Sequence, residues 1–166
     1  RSGGELSGQT PLQSYLRLQA EACGPAPHDP VRWQARGELR AATGGQDQVW
    51  LLLRAQARLP MVCQRCLLPM EAMLDVDRAF RFVADEALAL AEDDGSEEDL
   101  LVLSRRFDLT ALVEDELLLA LPVVPRHDQC PVEVKLAVAD EDFERSLQDK
   151  PSPFAALRGL SNGKSN

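Results

Sequence analysis

Two long runs of alternating apolar and polar residues flank a C-x-x-C, and no other feature restricts the fold of this chain as strongly. "VWLLLRAQARLPMVCQRC" leads into Cys63 and Cys66, and "MEAMLDVDRAFRFV" leads away from them. A period of two sends successive side chains to opposite faces of a pleated strand, so both runs read as half-buried strands. In the second, Met70, Ala72, Leu74 and Val76 point inward, with Glu71, Asp75 and Asp77 between them. The first is expected to bend near Pro60. The two thiols then fall where the strands join, in or beside a hairpin turn. "VRWQARGEL" alternates in the same way, with Val31, Trp33, Ala35, Gly37 and Leu39 on one face and Arg32, Gln34, Arg36 and Glu38 on the other. The Gly-rich "ATGGQDQ" supplies the turn between that strand and the next.

Helical signals surround these strands. In "TPLQSYLRLQA", Leu12, Tyr15, Leu16 and Leu18 stand near helical spacing, with Thr10 as N-cap and Pro11 at the first helical position. Gly24, Pro25, Pro27 and Pro30 end that helix, and "RSGGELSG" before it reads as a trimmed end. "FDLTALVEDELLLALPVVP" gives the main helix near 108–121: Asp108 or Thr110 caps it and Pro122 stops it. Leu109, Leu112, Val113, Leu117 and Ala120 form its apolar stripe, while Glu114, Asp115 and Glu116 read as its solvated face. Ser152 and Pro153 open a short terminal helix with Phe154, Leu157 and Leu160 along one edge. The acidic run at 84–99 lacks a sustained period and reads as a solvated loop.

The expected architecture is therefore α+β: a twisted antiparallel sheet, curling toward a barrel, packed with the main helix and short terminal helices. Three segments follow. Residues 1–30 hold the N-terminal helix and Pro-rich linker, 31–125 the sheet-and-helix core with its acidic loop, and 126–166 a C-terminal loop and short helix.

Charge narrows the function. The net charge is −9, and it is uneven: ten Lys and Arg face eight Asp and Glu in the first 83 residues, against eight and nineteen afterwards. A protein that holds nucleic acid by neutralising phosphates presents a basic surface, so the second half repels RNA and favours a basic protein partner. RNA contact, if made, falls to Arg32, Arg36 and Arg40 on one strand, to Arg54 and Arg58 on another, and to Arg65 between the thiols. Phe154 and Leu157 are the candidates for a partner groove. No stretch approaches the ~20 apolar residues of a membrane span, and four cysteines are too few for a secreted disulfide scaffold, so a reducing cytoplasm is expected.

The thiols admit three chemistries. A redox pair wants its first Cys at a helix N-terminus, whereas strands lie on both sides here. A zinc site wants four ligands in two close pairs, and "HDQC" supplies a second pair in His127 and Cys130, with Cys23 and His28 as spare donors. The third alternative is a pair of reduced thiols packed under the sheet. No G-x-S-x-G, phosphate loop or H-E-x-x-H is present, so the chain does not read as an enzyme.

"VCQRCLLPM", then "FDLTALVEDELLLALPVVPRHDQC", then "PSPFAALRGL" resemble, in order, the YceD family of large ribosomal RNA subunit accumulation proteins. The resemblance covers about the C-terminal two-thirds of the chain. It implies a cytoplasmic, non-enzymatic factor for synthesis, processing or stability of 23S rRNA, whose partners are a ribosomal protein or assembly factor, the large-subunit rRNA, or both. Some relatives carry more cysteines after the main helix in zinc-like spacing, where this chain has only Cys130 beside His127. The alternative is a zinc-stapled protein-binding module unrelated to ribosomes.

Overall fold

Leu51, Leu53, Ala55, Ala57 and Leu59 alternate along one strand and all face the core, as their period of two requires. They belong to β3 (Gln48–Val62), which pairs antiparallel with β4 (Pro69–Val83) to form a long hairpin. The computed structural model describes residues 3–24, 29–41, 45, 47–134, 138 and 143. Contacts divide the chain into two units, Arg1–Pro131 and Val132–Asn166; every element named below lies in the first.

Among the described residues the sheet has five strands in sequence order: β1 (Glu5–Thr10), β2 (Val31–Arg40), β3, β4 and β5 (Asp99–Val102). Pairs β1–β2, β2–β3 and β3–β4 are antiparallel, but β5 runs parallel to β4. Two expectations are thereby corrected. The sheet is mixed, because the β4–β5 connection passes through a helix that turns the chain around. It is also open rather than barrel-like, with β1 and β5 as its edges.

The segment read as a trimmed end contributes strand β1. Gly8 lies opposite Trp33, where an added Cβ would stand 2.7 Å from the indole ring. Thr10 ends this strand rather than capping a helix, and its hydroxyl accepts the Trp33 Nε1–H at 3.1 Å. A 3-10 turn over Leu12–Ser14 follows, and the helix itself, α1, spans Leu16–Ala20. Leu12, Tyr15 and Leu18 are fully buried, while Leu16 faces outward. Strand β3 continues through Pro60 in register with Glu71, so the proline does not end it.

The acidic run also departs from expectation. Glu86–Glu92 form helix α2, Asp85 accepts the Leu88 N–H as its N-cap, and a 3-10 turn covers Asp93–Gly95. Arg81, on the outer face of β4 and nearly buried, organises the segment: its guanidinium reaches Glu92, Glu98 and the Ser96 hydroxyl. Arg78, from the same strand, pairs with Asp99, so two cations from the sheet help order a charge-rich sequence.

On the opposite face lies α3 (Leu109–Leu119), whose start is fixed by Asp108 accepting the N–H groups of Thr110 and Ala111. Val113 and Leu117 pack with Leu12, Tyr15 and Leu18 onto Leu53, Leu59, Leu74 and Phe80. Glu114 and Glu116 are not a solvated face. Glu114 accepts the backbone N–H groups of Arg17 and Leu18 at 2.8 and 3.2 Å, so α3 caps α1 from outside. Glu116 is buried beside Arg78, at 3.6 Å. The terminal helix expected over Ser152–Leu160 lies outside the described residues.

Candidate metal centre

The hairpin register brings Val62 opposite Pro69 and leaves Cys63–Leu68 as its turn. Two backbone bonds fasten that turn: Cys63 N–H to Leu68 O at 2.9 Å and Leu67 N–H to Cys63 O at 2.8 Å. The fit forces Leu67 to φ 59°, a left-handed conformation that costs an L-residue other than glycine roughly 1–2 kcal/mol. The segment after α3 then crosses the turn, and Gln64 N–H donates to Pro125 O at 2.8 Å. That bond, with the His127 N–H donating to Cys63 Sγ, holds His127 and Cys130 beside the thiols.

The four expected donors meet. Cys66 Sγ lies 3.4 Å from His127 Nδ1, Cys63 Sγ lies 4.0 Å from Cys130 Sγ, and all four donor atoms fall within 4.8 Å of one another. They are close enough to hold a metal ion. Tetrahedral zinc, with bonds of about 2.0–2.3 Å, sets its donors about 3.3–3.8 Å apart. Shifts of an ångström or less would close this group to that size, and three sulfurs with one imidazole are a donor set compatible with zinc. The spare donors do not join: Cys23 is exposed elsewhere, its N–H bonded to Pro60 O, and His28 lies outside the described residues.

The electrostatics of the turn suit a thiolate. Burial would push the Cys63 thiol up, but the backbone N–H groups of Cys66, His127 and Arg65 aim at its sulfur, outweigh that penalty and hold its pKa at about 5. The His127 N–H lies 3.4 Å from the sulfur. Cys130 moves the other way, pushed up to about 11 by burial and by the sulfurs of Cys66 and Cys63. A redox pair would also show a thiolate at Cys63, but here strand and turn flank it, no helix starts there, and its side chain is fully buried.

The candidate arginines are distributed differently. Arg32, Arg36, Arg40, Arg54 and Arg58 share the outer face of the sheet, above a trough of about 840 Å³ lined by Arg32, Gln34, Arg54, Gln56, Asp75 and Asp77. Most meet carboxylates there: Arg36 and Arg40 meet Glu38, Arg54 meets Asp77, and Arg58 meets Asp29. Arg40 also stacks on Trp50, 4.1 Å from the ring centroid. Arg65 is exposed at the thiol turn. Phe154 and Leu157 lie outside the described residues. Sequence reasoning missed the Arg81 cluster and the strained Leu67; a left-handed turn position normally announces itself by Gly or Asn, and this one does not.

Residues 51–161 match the family described as Large ribosomal RNA subunit accumulation protein YceD. The chain belongs to the YceD family. A curated relative from Haemophilus influenzae bearing that same description is 35% identical over 112 residues, covering 64% of this chain and 62% of the relative. The chain thus spans about three-fifths of that relative's length. No solved structure matches. The YceD match contains all four donors, Arg65 and α3, whereas Arg32, Arg36 and Arg40 precede it. Among the described residues, no helix is long and apolar enough to cross a membrane.

Proposed function

We propose that this chain is a cytoplasmic, non-enzymatic factor that supports the accumulation of 23S rRNA in the large ribosomal subunit, with zinc as a structural staple. The observation that carries the reading is the family match over residues 51–161, which includes both the helical core and the four donors. Three cysteines and a histidine complete a four-coordinate sphere and leave no open position for water or substrate, which is the mark of a structural rather than a catalytic site. Bound zinc would tie the tip of the β3–β4 hairpin to the segment after α3; Cys63, Cys66, His127 and Cys130 would hold it.

Charge directs the choice of partner. Asp85–Asp99 contains eight acidic residues and no Lys or Arg, and Leu90 stands 76% exposed among them. This surface complements a basic ribosomal protein or assembly factor. Depletion of the protein should lower 23S rRNA relative to 16S, and an unchanged ratio refutes the reading. Metal analysis of the purified chain should find one zinc per chain, lost in Cys63→Ser and Cys130→Ser. Cross-linking in growing cells, scored separately for proteins and rRNA, identifies what is touched.

A further inference from the structure

The tip that carries the thiols also displays groups for which the fold has no use. Leu67 is 72% exposed in a backbone conformation that glycine would adopt without strain, so it neither packs nor relaxes the turn. Val123 and Val124, on the adjacent loop, are 99% and 56% exposed. The Gln64–Pro125 bond holds these two loops side by side. Arg65 and Arg126, one from each loop, are exposed, and among the described residues no carboxylate pairs with either. Four of the five sheet-face arginines, Arg36, Arg40, Arg54 and Arg58, each meet an acid.

We propose that this tip is a single-stranded RNA contact, resting on the rRNA reading given above. Arg65 and Arg126 bind phosphates, and Leu67 with Val123 forms the apolar platform for an unstacked base. Two exposed guanidiniums on adjoining loops, held side by side by the Gln64–Pro125 bond, offer a polyanion a local point of approach on a chain of net charge −9. A basic protein would be repelled there and drawn instead to the acidic segment. Short metal-stapled turns have the size to read splayed bases rather than a duplex groove, which needs an inserted helix or ribbon. An exposed leucine at a strained position is accounted for by contact outside the chain.

The test uses the zinc-loaded full chain and a labelled single-stranded oligoribonucleotide, with affinity read by fluorescence anisotropy across a salt series. Leu67→Gly keeps all four donors and relieves strain, so its Tm should match or exceed that of the parent. Its RNA affinity should nevertheless fall about tenfold, the effect of losing one well-packed contact. Arg65→Gln combined with Arg126→Gln should lower the salt slope by roughly 1.4, about 0.7 for each phosphate contact. Parental affinity in Leu67→Gly, or an unaltered slope in the double variant, overturns the proposal. So does cross-linking from position 67 to a ribosomal protein alone. In depleted cells, failure of the parent chain to restore 23S rRNA refutes the functional reading; restoration by parent and tip variants alike refutes only the tip.

Discussion

Glu114 and Glu116 stand two positions apart on α3 and titrate in opposite directions. Burial pushes Glu114 up, but the Arg17 guanidinium and the N–H groups of Leu18 and Arg17 outweigh it and hold the carboxyl below its ordinary range. Glu116 is pushed up by burial, which Arg78 only partly offsets while Asp99 and Asp115 add to it. The signs follow from linkage. Stability contributed by Glu114 is present above the ordinary carboxylate range and lost as pH falls through its depressed pKa. That contributed by protonated Glu116 is present in acid and lost as pH rises through its raised pKa. Glu114→Ala should therefore destabilise at pH 7 by about 1–2 kcal/mol, by leaving the first N–H groups of α1 without an acceptor. Glu116→Gln should raise Tm at pH 7 and leave it unchanged near pH 4; a fall at pH 7 would show that its pairing with Arg78 outweighs its burial. In the sequence both residues sit in one acidic run, and their separate surroundings are invisible there. A helix period locates the apolar stripe, but it does not tell which flanking carboxylate meets an arginine from a distant element.

At the scale of elements, what the sequence shows most clearly is the set of strands, because alternation over β2, β3 and β4 is long and the burial follows it. Helix α3 is equally legible from its cap, its stripe and its terminating proline. Strand β1 and helix α2 are not. A six-residue edge strand with three glycine or small polar positions carries little periodic signal, and its conformation is imposed by pairing with β2. Helix α2 buries none of its side chains and looks like a solvated loop until Arg81 gathers Glu92 and Glu98. Removing that cation should show the dependence. Arg81→Ala is expected to cost about 1–3 kcal/mol and to accelerate amide exchange over residues 86–98 well before the β3–β4 hairpin opens. Unchanged exchange in that segment would mean that α2 holds itself together.

Over the first unit, the core and the thiol group depend on each other through the hairpin. Leu53 and Leu74 are fully buried in the cluster that joins sheet, α1 and α3, and truncating either to Ala should cost about 2–5 kcal/mol. The same hairpin carries Cys63 and Cys66 outward to meet the segment that leaves α3. With zinc bound as proposed, its chelation should lower Tm by about 10 °C and expose amides at 63–68 and 125–130 first, with the central strands still protected. Loss of protection throughout the sheet at the same rate would show instead that the metal governs the whole fold. Both donor pairs were legible as pairs, since a two-residue gap between ligating side chains is a local property of the chain. The strands, the main helix and the acidity of the second half were fixed locally too, by alternation, capping and composition. That the pairs converge, that β5 turns parallel, that the sheet stays open and that Leu67, Arg65 and Arg126 stand exposed beside the thiols were decided only by tertiary structure. Each of these requires residues tens of positions apart to be placed within a few ångströms, and periodicity along a chain carries no information about distances across it.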